Sequence, residues 1–422
     1  MASSIAASPS RWRQGAWAGI PVLSVIRGVA SAMLAAFVFF ACFAFSDTSP
    51  YDMVAIPTIL IWLCLGIRIE RGIVPFLVLI ILYVSAIVIG LMPYLNEELP
   101  VAWTIQLAYL AITGVFFAMV FSGETTRRID LALKAYTVSC LFSAVLGILG
   151  YFGIIGEEGL FMVYGRAAGT FKDPNVFGSF LTLGALYLLH GLFAGTSRRP
   201  LLSLAGVLVL LAGIFLSFSR GSWGGSLVAI AVMIVAIYRS SPSAALRRRI
   251  VVLCVAASTA GVLALGTLLL VGNTAETFQK RAAVTQDYDE GETGRFGNQI
   301  RGLNMLVEEP LGLGPLRWRL TFGLEPHNSY IGSFANGGWL GGAVFIGLVV
   351  ATGFVGFRLM RLDSPYRRHA QIVWPALLMF FLQAMQIDIE KWRHVYMMIG
   401  MVWALEAARL MWLAGGGPRR RG

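Results

Sequence analysis

The sequence predicts an all-α polytopic membrane protein with about twelve transmembrane helices, and three observations predict it. Of the 422 residues, 57% are hydrophobic and 13% charged, and the mean hydropathy is +0.74. That leaves too little polar surface to coat a soluble globule of this length. Apolar runs near the ~20 residues needed to cross a bilayer recur along the whole chain. The arginines and lysines, finally, fall in alternate connections between these runs, the pattern that orients membrane helices. Topology therefore accounts for the net charge of +11, and no nucleic-acid partner is expected.

Residues 1–21 are polar, carry Arg11 and Arg13 and show no small-residue cleavage site, so the first apolar segment reads as a retained helix. Breaks at charges, prolines and glycine clusters place six spans at 22–45, 51–67, 73–93, 101–122, 130–153 and 176–195. Six more follow at 200–218, 222–238, 250–271, 330–357, 370–387 and 394–414. The second is short and calls for local thinning or snorkelling. An even count puts both termini on one side. The basic connections fall there: Arg11 to Arg27, Arg68 and Arg71, Arg127 to Lys134, Arg198 and Arg199, Arg239 to Arg249, Arg358 to Arg368, and Arg419 to Arg421. By the positive-inside rule that side is cytoplasmic. The other connections are acidic or poor in basic residues: Asp47 to Asp52, Asn96 to Glu98, 154–175, 219–221, 272–329 and 388–393. Cys42, Cys64, Cys140 and Cys254 sit singly inside apolar runs, as small packing residues. No internal repeat or linker divides the chain, so residues 1–422 read as one domain.

Basic residues on the outer side run against the insertion bias and need another reason. They are Arg166 and Lys172, Arg220, six residues between Lys280 and Arg319, and Lys391 with Arg393. The outer loop 272–329, at about 60 residues, is far longer than joining two helices requires. Within it, Asn298 to Val307 has apolar residues at 300, 303, 306 and 307, one face of a short amphipathic helix. Pro310 to Pro315 ends it.

His327 closes this loop in Glu325-Pro-His-Asn-Ser-Tyr330, at a loop-to-helix junction rich in glycine on its far side. It is either a helix-end histidine satisfied by a backbone carbonyl or a group facing a ligand. Arg220 lies in a turn between two apolar spans, where a guanidinium is costly unless paired, wetted or snorkelled. Its fork suits phosphate oxygens. Asp173-Pro-Asn175 is a helix-start signal, preceded by Arg166. Arg295 and Arg301 flank the start of the loop helix, where they meet either a ligand or lipid headgroups. Arg317 and Arg319 read as interfacial anchors, and Asp388 to His394 as a salt-bridge network. Asp287-Tyr-Asp289 has the form of a divalent-metal motif, common by chance in so acidic a loop. No Gly-Lys phosphate loop, nucleophile elbow or His-Glu-x-x-His pattern is present, which speaks against ATP-driven transport and zinc proteolysis.

Four motifs taken together carry a resemblance. They are Arg166-x-x-Gly-Thr-Phe-x-Asp-Pro-Asn175, Ser219-Arg-Gly221, Gly294-Arg295 leading to Glu309-Pro-Leu-Gly-Leu-Gly314, and His327-Asn328 followed after nine residues by Gly338-Trp-Leu-Gly341. In order and spacing the chain resembles the O-antigen ligase and O-antigen polymerase superfamily, well over residues 160–345 and before them only in topology. The resemblance implies an integral-membrane, GT-C-like glycosyltransferase of the bacterial inner membrane with a periplasmic active site. It implies an undecaprenyl-diphosphate-linked glycan as donor, with no cofactor and no metal. It also makes Arg220, Arg295 and His327 catalytic, with Arg166, Asn175, Arg301, Asn328 and Tyr330 expected at the substrate. The acceptor is a lipid A core sugar in a ligase or the next lipid-linked repeat unit in a polymerase; the histidine motif favours the ligase. A lipid-linked glycan transporter is the third possibility, though the cations gather on one face and no inverted repeat is visible. Membrane lipids are the expected surroundings and a monomer the expected state.

Overall fold

The computed structural model describes residues 22–45, 49–156, 158–268, 278 and 294–415. It is a helical bundle. Nine long helices precede the loop: α1 (Val22–Phe39), α2 (Pro50–Cys64), α3 (Val74–Leu91), α4 (Glu98–Ser122), α5 (Thr125–Tyr151), α6 (Pro174–Phe193), α7 (Pro200–Leu216), α8 (Arg220–Ser240) and α9 (Ala244–Leu268). The loop contributes α10 (Arg295–Glu308) and the short α11 (Trp318–Phe322), and α12 (Ser329–Arg361), α13 (Arg367–Gln383) and α14 (Arg393–Ala414) complete the chain. A two-residue hairpin, β1 (Met162–Val163) and β2 (Arg166–Ala167), lies between α5 and α6.

Every one of the twelve expected spans holds a helix, so the all-α polytopic class stands. Among the described residues, eight of these helices are long and apolar enough to cross a membrane. Of the other four, α2, α7 and α13 have 15, 17 and 17 residues. At about 1.5 Å per residue they fall short of a hydrocarbon layer of about 30 Å.

Close helix pairs build the bundle: α4 runs along α14, α3 along α12, α6 against α7 and α8, and α13 against α8. Small residues permit the approach. A Cβ on Gly400 of α14 would stand 2.6 Å from the Gly114 carbonyl oxygen of α4, so the two backbones touch there. Several polar side chains inside the bundle find partners on neighbouring helices. Trp62 Nε1 donates to the Ala30 carbonyl at 3.1 Å, Tyr136 Oη to Phe180 at 3.0 Å and Trp403 Nε1 to Thr352 Oγ1 at 3.0 Å.

Charges gather at the two ends of the bundle. One end holds Arg358 and Arg409 on Glu406, Arg368 on Asp130, and Arg127 with Arg128 on Glu124. The other holds Arg393 on Asp52, Arg317 on Glu97, and His327 beside Asp388. Two cations expected to be out of place on that side are thus explained by partners inside the protein. Arg393 also donates to the Phe43 carbonyl and covers the Tyr51 ring, and Arg317 covers the ring of Tyr94.

The helix that follows His327 is broken. Gly337 (φ −130°, ψ 17°) and Gly338 (φ 64°, ψ −163°) interrupt α12, and the loop fills the interruption. The amides of Leu313 and Gly314 donate to the Ala335 carbonyl at 2.7 and 3.0 Å, and the Trp339 amide donates to the Pro310 carbonyl at 2.9 Å. Trp339 Nε1 donates to the Leu306 carbonyl at 2.9 Å. The Glu309-to-Gly314 motif therefore replaces the hydrogen bonds that the kink removes.

At Gly338 the positive φ and a Cβ position 2.3 Å from the Pro310 oxygen both exclude a side chain. Gly338→Ala is expected to destabilise the fold by at least about 1–3 kcal/mol, the cost of such strain. Gly347→Ala, whose new Cβ would meet only Leu79 at 3.8 Å, is expected to leave stability nearly unchanged. Thermal unfolding of the two variants in detergent checks this; equal midpoints would contradict it.

Candidate functional site

Three chain segments meet at the end of the bundle that carries His327. The first is the turn between α7 and α8. Phe218 takes a left-handed conformation (φ 45°), and Ser219 caps α8 by accepting from the Ser222 amide at 3.3 Å, which makes Arg220 the first residue of that helix. Arg166 braces this turn from β2. It is buried, its Nε donates to the Ser217 carbonyl at 2.7 Å and its Nη2 to Asn175 Oδ1 at 2.8 Å. Asn175 lies at the start of α6, where the Asp173 carboxylate accepts its amide at 2.7 Å in the expected cap. Its carbonyl takes bonds from Ser179 and Ser222, and so ties α6 to α8. Arg166 and Asn175 thus bind each other and set the position of the Arg220 turn.

The second segment is the start of α12. Asn328 Oδ1 caps this helix by accepting from the amides of Tyr330 and Ile331 at 3.0 and 3.2 Å, while its Nδ2 donates to the Met385 carbonyl. Tyr330 Oη donates to the Phe381 carbonyl at 2.9 Å. His327 stands just before the cap with φ 46°, a conformation that costs about 1–3 kcal/mol outside glycine. Its Nδ1 lies 3.5 Å from Asp388 Oδ2, and its side chain is 45% exposed. The ring is open to a ligand while it is held by a carboxylate.

The third segment, residues 383–388 from the last residue of α13 into its connection with α14, lies between the other two. The Arg220 turn packs on one flank, with the Cβ position of Gly221 at 3.5 Å from Gln383 Nε2 and 3.9 Å from Gln386 Oε1. The His327 junction holds the other: the Ser329 amide donates to the Ala384 carbonyl at 2.7 Å and the Asn328 amide to Asp388 at 3.0 Å. The fold therefore brings Arg220, His327, Asn328 and Tyr330 around one short connection. The N-termini of α8 and α12 flank this connection, a setting that favours negative charge.

The loop helix α10 starts at Arg295, three residues before the position the periodicity predicts, so Arg295 is its first residue and Arg301 lies inside it. Only the backbone of Arg295 is described. It precedes Gln299 by one turn on the same face, and Gln299 Nε2 donates to the Pro326 carbonyl at 2.8 Å, next to His327. Arg301 is exposed, with Nη1 3.4 Å from Asn298 Oδ1 and its guanidinium 5.6 Å from the Phe322 ring centre. Asp287 and Asp289 lie outside the described residues, among which no three His, Cys, Asp or Glu are grouped to hold a metal ion.

Sequence reasoning missed the acids. Asp388 and Glu390 belong to the stretch taken as a salt-bridge network, yet Asp388 faces His327, and Glu390 is 6% exposed beside the Ser329 end of α12. Burial, reinforced by the charge of Asp388, raises Glu390 to about 8. Burial and Asp388 also raise Glu325. An acidic pair just after an apolar span was the available signal, but nothing local said that it would fold under the histidine loop. Gln299 had no signal beyond its spacing from Arg295.

The raised Glu390 fixes a pH dependence. Between its ordinary value of 4.5 and about 8 the folded protein keeps a proton that the unfolded chain has lost, so stability falls as pH rises through this window and levels off above it. Glu390→Gln is expected to flatten that part of the profile. Unfolding midpoints of the two proteins from pH 5 to pH 9 check it, and parallel profiles would contradict it.

Residues 205–346 match the family model described as O-antigen ligase. The matched stretch holds Arg220, Arg295, Arg301, His327, Asn328 and Tyr330 and leaves out Arg166 and Asn175. A curated protein of Salmonella muenchen called O-antigen polymerase is 27% identical over 224 residues, which cover 52% of this chain and 49% of that relative. The chain thus spans about half the length of the relative it matches. Both findings support the O-antigen ligase and polymerase superfamily that the motifs suggested.

Proposed function

With that superfamily as the premise, we propose that the protein is a glycosyltransferase of the O-antigen ligase type. It moves a glycan from undecaprenyl diphosphate to a lipid A core sugar on the periplasmic face of the inner membrane. The observation that carries the proposal is the packing of the Arg220 turn and the His327 junction on the two flanks of residues 383–388. One cation at a helix N-terminus and one accessible imidazole backed by a carboxylate are what the chemistry needs at neighbouring points.

In the reaction the acceptor hydroxyl oxygen attacks the anomeric carbon, the bond from that carbon to the diphosphate oxygen breaks, and the configuration inverts. Negative charge grows on the leaving diphosphate. Arg220 stabilises it with the dipole of α8, and Arg295 does so from the first turn of α10. The Arg220 turn is fixed before the substrate arrives, since Arg166 and Asn175 lock it. The hydroxyl proton passes to His327. With a proton on Nδ1 toward Asp388, Nε2 is the base, and the carboxylate stabilises the imidazolium that forms. Asn328 and Tyr330 hold the histidine junction against α13, and Arg301 binds donor or lipid phosphate farther out. The orientation follows from the charges: the cation-rich end of the bundle is cytoplasmic and the His327 end periplasmic.

A second reading has its own support. The Salmonella muenchen relative is named a polymerase, and a polymerase differs in the acceptor while sharing the donor chemistry. Purified protein with undecaprenyl-diphosphate-linked glycan, offered lipid A core and a second lipid-linked repeat unit separately, distinguishes the two. Transfer to lipid A core is expected. Losses of about 100-fold or more are expected for His327→Ala and Arg220→Ala, with full activity in a strong chelator. Chain growth on the lipid-linked unit alone would make the protein a polymerase; transfer to neither acceptor would overturn both readings. Loss of activity in chelator, restored by magnesium or manganese, would bring Asp287 and Asp289 into the mechanism.

A further inference from the structure

A second cationic site lies at the opposite end of the bundle. A cavity of about 560 Å³ opens there among the ends of α1, α2, α4, α5 and α14. Helix α4 separates the two ends. It begins beside Glu97, which pairs with Arg317 on the His327 side, and reaches the cavity at Ser122; its 25 residues span about 37 Å.

Five cations line the cavity: Arg27, Arg68, Arg127, Arg128 and Lys134. Glu70 and Glu124 are the carboxylates in its wall, so a net charge of +3 remains. Glu124 is shared between Arg127 at 2.5 Å and Arg128 at 3.3 Å. Arg128 is held further by the Val120 carbonyl at 2.7 Å and by the face of Trp62 at 4.5 Å. Arg27, Arg68 and Lys134 are exposed and make no ion pair with the described residues. Residues 1–21 and 416–422 add five arginines and no acidic side chain to the sequence.

Cations that line one cavity repel one another, and an anion relieves this. The other half of the wall is apolar. Leu65, Ile67, Leu131 and the exposed Met411 line it, as acyl chains entering from the flank require. We propose that this cavity binds the headgroup of an anionic phospholipid. The phosphate sits among Arg27, Arg68 and Lys134, Arg128 is fixed as the back wall, and the chains lie along the apolar side. The site is independent of the donor chemistry at the His327 end.

The test uses full-length protein, delipidated in detergent and titrated with phosphatidylglycerol or phosphatidylcholine, with bound lipid counted by native mass spectrometry. The wild type is expected to prefer phosphatidylglycerol by about tenfold or more, since each nearby cation contributes about fivefold. Arg27→Gln/Arg68→Gln/Lys134→Gln is expected to lose the preference. Arg68→Gln/Lys134→Gln is expected to show an intermediate one, which keeps the proposal testable if the triple variant folds poorly. Arg198→Gln/Arg199→Gln/Arg248→Gln removes as much charge outside the cavity and is expected to keep the preference. No preference in the wild type, or equal loss in both triple variants, would overturn the site. Full competition by an equal concentration of glycerol 1-phosphate would overturn the lipid as its occupant.

Discussion

The backbone break in α12 is the constraint on which the candidate site depends. Gly337 and Gly338 remove helical hydrogen bonds in a chain whose surroundings are mostly apolar, where an unpaired amide or carbonyl costs several kcal/mol. The 306–314 segment supplies the missing partners through Ala335, Trp339 and Pro310. Docking the loop and breaking the helix are therefore one event. Because α10 is tethered to Pro326 through Gln299, the same event sets the place of His327. A loop motif and a glycine pair separated by some twenty residues of sequence become one structural unit, because neither can satisfy its backbone alone.

A similar economy holds at the Arg220 turn. The buried guanidinium of Arg166 bonds to Ser217 on one side and Asn175 on the other, so a charge costly to bury is offset by oriented oxygens. What results is a rigid junction of α6, α7 and α8 that presents Arg220 at a helix start. Two arginines in neighbouring motifs have different work: one holds the frame, and the other stands at the helix start where a phosphate is proposed to bind. Leaving groups with concentrated charge are best stabilised by dipoles fixed in advance, and this frame provides that fixity.

The two ends of the bundle are chemically distinct. At the His327 end the acids are drawn inward, with Glu390 buried and Asp388 against the imidazole, while Arg393 and Arg317 are taken up by Asp52 and Glu97. At the other end the cations outnumber the acids and line an open cavity. The insertion bias and the binding needs of the protein agree in one respect: cations on the basic end cost nothing in topology, whereas Arg166, Arg317 and Arg393 at the His327 end each have a partner inside the protein.

The sequence by itself determined the helices, because each is specified by a local run of apolar residues: a helix stands at each of the twelve expected positions, eight of them long and apolar enough to cross a membrane among the described residues. It also named Arg220, Arg295 and His327 as candidates, since each breaks a pattern that the rest of the chain obeys. The helix cap at Asp173 and the loop helix were legible for the same local reason, the latter with its start displaced by three residues. Only the tertiary structure decided that residues 383–388 lie between Arg220 and His327, that Asp388 and Glu390 fold under the histidine loop, and that Arg166 is a brace. These depend on contacts between segments far apart in the chain. Helix packing between apolar surfaces follows shape and small residues such as Gly400 against Gly114, and no local pattern of hydrophobicity encodes which helix will meet which.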